Sequence, residues 1–125
     1  YLKHEVFPVV HTGNNIIDLA VNYIDFANRE KKLYSSLYLE EYGGGREMQN
    51  FSYNYFVETV KKDPEYADLS AEQIESLHNT IWIIATGLAA LMSSSIIHPT
   101  KEQIEKMIQD SINATLNTKE TIQVN

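Results

Sequence analysis

Two short polar runs, Ser70-Ala71-Glu72-Gln73 and Thr100-Lys101-Glu102-Gln103, restrict this chain more than anything else in it. In each, a hydroxyl residue is followed three positions later by glutamine. The two side chains then satisfy each other's free backbone donors and open an α-helix. Leu69 and Ile74 stand where a hydrophobic staple across the first start would place them. Beyond that start, Ile74, Leu77, Ile81, Ile84, Leu88 and Leu91 recur at helical spacing, with His78, Trp82, Ala85 and Ala89 as a neighbouring stripe. Beyond the second, Ile104, Met107, Ile108, Ile112 and Leu116 share one face. The spacing predicts helices over 70–97 and 100–117, joined by a very short link at His98-Pro99 into an antiparallel hairpin.

The earlier part of the chain is helical in pattern as well. From Asn15, a capping residue, Ile16, Leu19, Ala20, Tyr23, Ile24, Phe26 and Ala27 mark one helix face, with Asp18 near the positive end of the dipole. Leu33, Tyr34, Leu37, Tyr38 and Tyr42 mark a second segment that Gly43-Gly44-Gly45 ends. A third runs from about Arg46 to Lys62. With no repeat and no long linker in 125 residues, the expected fold is one all-α bundle of about five helices.

Composition removes several classes of function. There is no cysteine, which excludes disulfides, thiolate metal sites and cysteine nucleophiles. Ten Lys and Arg against 17 Asp and Glu give a net charge of −7, which argues against a general binder of nucleic-acid backbone. The most apolar window, Ile81 to Met92, is shorter than a membrane span. The expectation is a soluble, cytoplasmic protein without a membrane partner.

The 70–97 pattern is apolar around so much of its circumference that it calls for burial on more than one side. Pairing the hairpin with a second copy would provide it as an intermolecular four-helix bundle. Ala85, Leu88, Ala89, Met92, Ile104, Ile108 and Ile112 are the interface residues this predicts. A central helix wrapped by its own chain is the other solution.

Trp82-Ile83-Ile84-Ala85-Thr86-Gly87-Leu88-Ala89-Ala90-Leu91 resembles the Trp…His-Gly-Leu-x-x-Leu signature of the C-terminal domain of TetR/AcrR-type transcriptional regulators. Thr86 stands where that family has histidine. Tyr23-Ile24-Asp25-Phe26-Ala27 with Leu33-Tyr34 and Leu37-Tyr38 is similar to a second family segment, whose proline is Lys31 here. The resemblance spans residues 15–117. It implies a homodimer whose last two helices pair, an effector pocket among the helices, and DNA binding through a separate N-terminal helix-turn-helix domain. On that reading residues 13–125 are the effector domain and residues 1–12 the remnant of an inter-domain linker or helix.

Tyr34, Tyr38 and Tyr42 share a helix face, and Phe51, Tyr53, Tyr55 and Phe56 add aromatic surface. The candidate ligand-binding set is Phe26, Tyr34, Tyr38, Phe51, Tyr55, His78, Trp82 and Thr86, around a small, mostly apolar effector. The same rings would serve equally as packed core. In that case the chain is a stand-alone helical module that binds a protein partner and no small ligand. The four histidines have no paired metal spacing, so no metal or cofactor is expected. No carboxylate pair lies in an apolar context and Ser93-Ser94-Ser95 has no nucleophile-elbow glycines, so no catalytic residue is assigned and an enzyme is not expected.

Overall fold

The structure, a computed structural model, describes residues 2–34 and 45–117. A π-helical turn at Leu2–Val6 leads into five α-helices: α1 (Asn15–Arg29), α2 (Lys31–Tyr34), α3 (Gly45–Lys62), α4 (Ala71–Ser93) and α5 (Lys101–Asn117). The described residues contain no strand. The all-α expectation holds.

Both capping boxes form. Gln73 N–H donates to Ser70 Oγ at 3.1 Å, and Ser70 N–H to Gln73 Oε1 at 2.9 Å. Thr100 and Gln103 repeat the exchange at 3.1 and 2.8 Å. The cap of α1 falls one residue earlier than the sequence indicates. Asn14, not Asn15, accepts from Ile16 N–H and Ile17 N–H, at 3.0 and 3.1 Å. Gly45 opens α3, while the end expected for the preceding segment at Gly43-Gly44 lies outside the described residues.

The hairpin's first helix is four residues shorter than the apolar pattern indicates. It closes at Ser93, where Ser95 N–H returns to Met92 O and Ile96 N–H to Leu91 O, both at 3.0 Å. These two bonds make a Schellman motif, which needs a left-handed residue between them. Ser95 supplies it at φ 57°, with a Cβ that glycine would lack. Ser95→Gly is therefore expected to stabilise the fold by about 1 kcal/mol, read as a rise in the urea midpoint at unchanged slope. A neutral or lower midpoint would mean that the turn carries no strain.

α4 is the central element, packed against α1 and α5, with α3 against its N-terminal half. Phe26, Leu77, Val60 and Ile108 are fully buried where these helices meet. The residues that the sequence pattern assigns to the interface lie around this core. Ala85, Leu88, Ala89, Ile104, Ile108 and Ile112 are all buried within the chain, and Met92 is half-buried against the same core. The second apolar stripe of α4 is covered by the chain's own helices. What the hairpin leaves outside is a different strip: Ile83, Leu91 and Met107, exposed by 51, 40 and 37 %, with the exposed small residues Gly87 and Ala90.

The segment before α1 is bound into the same unit. Val6 and Phe7 are buried in the core. The Asn22 amide, buried on α1, donates to Phe7 O and Val9 O, each at 2.8 Å, and accepts from His11 Nε2 at 2.7 Å. Asp18 accepts from Thr12 N–H and Thr12 Oγ1 at 2.8 Å and from Gly13 N–H at 3.1 Å. Gly13 turns the chain at φ 86°, a left-handed conformation that glycine adopts freely. The boundary drawn at residue 12 thus lies inside a packed region.

Candidate functional site

Mostly apolar residues on three helices bound a cavity. α1 contributes Ile16, Leu19, Ala20 and Tyr23, α3 contributes Ser52 and Phe56, and α4 contributes His78, Ile81, Trp82 and Ala85. Phe7, at the end of the N-terminal turn, completes the wall. The cavity measures about 50 Å³, a third of the ~150 Å³ that takes benzene in an engineered protein core. None of these lining residues is charged.

His78 is the chemically distinctive member. Its ring meets Tyr53 edge-on (centroids 4.9 Å, 81°) and Phe56 similarly (5.3 Å, 65°), and stacks beside Trp82 (6.3 Å, 12°). The side chain is 7 % exposed, and Nδ1 has no hydrogen-bond partner among the described residues. Burial pushes the imidazole down to about 4, only partly offset by the Asn79 side chain, so the ring is neutral at pH 7. At one end of the wall the Tyr23 hydroxyl bonds Tyr34 Oη at 2.7 Å and Thr86 Oγ1 at 3.1 Å, tying α1 to α2 and α4.

The histidine has a measurable consequence for stability. Unfolded, it titrates near 6.5; folded, it titrates near 4, so between these values the unfolded chain binds more protons. Stability is full above pH 6.5 and falls as the pH drops towards 4, by about 3 kcal/mol over the whole window. Asp18 extends the loss to lower pH. Burial raises its pKa, but the Thr12, His11 and Gly13 hydrogen bonds outweigh burial and hold it below 3.8. Urea unfolding at several pH values checks this, and His78→Phe removes the share lost between pH 6.5 and 4. An unchanged slope in that variant would place the pH dependence elsewhere.

Of the sequence-predicted ligand residues that the structure describes, only His78 and Trp82 line the cavity. Thr86 and Tyr34 reach it through the Tyr23 hydroxyl. Phe26 does not belong to the wall: it is wholly buried and packs edge-on against Tyr34 at 6.3 Å. Phe51 is 38 % exposed and does not line the cavity. Tyr55 points to the other side of Phe7, with ring centroids 5.2 Å apart. It borders a second, wider groove of about 380 Å³ with Phe7, Val9, Lys3, His4, Glu58 and Lys62. Tyr38 and Tyr42 lie outside the described residues. Tyr23, Ile81 and Ala85 were missed as wall residues, although Ile81 and Ala85 stand three residues beyond His78 and Trp82 on one face of α4, where helical spacing could have placed them.

No group of three or more His, Asp or Glu able to hold a metal occurs among the described residues, and no described helix is long and apolar enough to cross a membrane. Comparisons with protein-family models, curated proteins and solved structures return no match.

Proposed function

We propose that this chain is the effector-sensing and dimerising domain of a TetR/AcrR-like regulator. The observation that carries the reading is the uncharged cavity between α1, α3 and α4, walled by aromatic rings and a buried neutral imidazole. Small-molecule sites have this character: mostly apolar walls with a few placed polar groups. The order of elements supports it too, since a helical hairpin closes the chain and the cavity lies beside its first helix.

Dimerisation in this reading uses the outer strip of the hairpin, Ile83, Gly87, Ala90, Leu91 and Met107. A Cβ at Gly87 would meet nothing within 4 Å, so its smallness serves nothing inside the chain and leaves room for a partner helix. A ligand that prefers one geometry of the pair would shift that geometry, and with it DNA-reading domains attached to each copy. A ligand that binds both geometries equally would move nothing.

Trp82 is the only tryptophan and sits on the cavity wall, so its emission reports occupancy. Screening a library of neutral apolar compounds should yield ligands that shift Trp82 emission and raise Tm together, as mass action requires of native-state binding. If no compound moves either signal, the sensing role fails and the protein-interaction module replaces it.

A further inference from the structure

His78 occupies a position that an ordinary apolar residue would fill at less cost. Tyr53, Phe56 and Trp82 surround its ring, its side chain is 7 % exposed, and Nδ1 bonds to nothing among the described residues. A buried polar atom without a partner destabilises the folded chain, and native structures contain few of them. The phenol of Tyr23, another polar group of this wall, is already bonded to Tyr34 and Thr86. His78 is thus, among the described wall residues, a buried group whose hydrogen bonding is incomplete.

We infer that the cavity takes a neutral molecule with an apolar body and a hydroxyl group, and that this hydroxyl bonds the imidazole of His78. The inference rests on the sensing role proposed above and adds the chemical class of the ligand. A charged ligand would lose its hydration against a wall whose described residues carry no charge to replace it. A pure hydrocarbon would leave the imidazole as it is. A neutral imidazole has one nitrogen that donates and one that accepts, and a hydroxyl does both, so it satisfies either tautomer. The volume sets the mode of entry. At about 50 Å³ the cavity is smaller than a benzene ring requires, so a ring enters by displacing a half-buried side chain of the wall. Of the half-buried wall residues Leu19, Ser52 and Trp82, Trp82 is the one stacked on His78, so its displacement is the one that frees space beside the imidazole.

Phenol and toluene test this, because they match in size and differ in one hydroxyl. Each is titrated into ¹⁵N-labelled protein, following the imidazole nitrogens of His78 and the indole N–H of Trp82. Phenol is expected to shift both residues and to bind at least about ten-fold more tightly than toluene. In His78→Phe the two probes should bind alike. Equal binding of both probes to the unaltered protein, with no movement of the His78 nitrogens, overturns the anchor while leaving an apolar ligand site standing. If neither probe moves Trp82, the anchor fails, and the compound library decides the sensing role separately. Should His78→Phe not fold, the nitrogen shifts of the unaltered protein decide the matter alone.

Discussion

Leu88→Glu and Ile83→Glu, five residues apart on α4, are expected to give opposite results. Leu88 is 7 % exposed and sealed by the chain's own core, so a glutamate there is a buried charge with no partner. The penalty is several kcal/mol, comparable to the whole stability of a domain this size, and the variant should fail to fold. Ala89→Glu, at 2 % exposure, should do the same. Ile83 is 51 % exposed, and a glutamate there meets water in a single copy. That variant should keep its helical circular dichroism and Tm yet sediment as a monomer at concentrations where the unaltered protein pairs. A folded Leu88→Glu monomer would return the interface to the residues the sequence pattern chose. An Ile83→Glu variant that still pairs would remove the outer strip from the account.

The second large effect centres on Asn22. Its buried amide makes three hydrogen bonds at 2.7–2.8 Å, to the carbonyls of Phe7 and Val9 and to His11. Asn22→Leu keeps the volume and removes all three. Phe7 O is buried, and each such group left unpaired costs about 1–3 kcal/mol, so a loss of about 2–4 kcal/mol is expected. Phe7 is also a wall of the cavity, so the damage should reach ligand affinity. Hydrogen exchange should rise first in residues 6–13 while α4 and α5 stay protected. Loss of protection throughout the chain at once would mean that Asn22 supports the whole core and not one segment of it.

The parts of the fold legible in sequence are those written in local chemistry. Ser70 and Thr100 with their glutamines state where α4 and α5 begin, because both halves of each box lie within four residues. The stop of α4 was harder to see, since its left-handed residue is Ser95 where glycine is usual. Asn14 and Asn15 are indistinguishable by type. The choice between them depends on Tyr66, which accepts from the Asn14 amide at 2.9 Å, and on Asp63, which takes that of Asn15 at 3.1 Å. Both partners lie about fifty residues away, beyond the reach of any local rule.

The two apolar stripes of α4 turn inward except at Leu91, but periodicity states that a face is buried and not what buries it. Ala85 and Ala89 went to the chain's own helices, leaving Ile83 and Leu91 outside. The site follows the same logic. His78 and Trp82 were legible as wall residues because both lie on the face of α4 that turns inward. Phe26 and Tyr55 were not separable from them, because an aromatic ring looks the same in sequence whether it lines a cavity or fills one.

Native mass spectrometry of the protein as purified, before and after gentle denaturation, tests the central claim most directly. The account predicts a dimer carrying a small neutral mass that denaturation releases, with Ile83→Glu carrying the same mass as a monomer. A bare monomer under the same conditions would contradict both the pairing and the pocket.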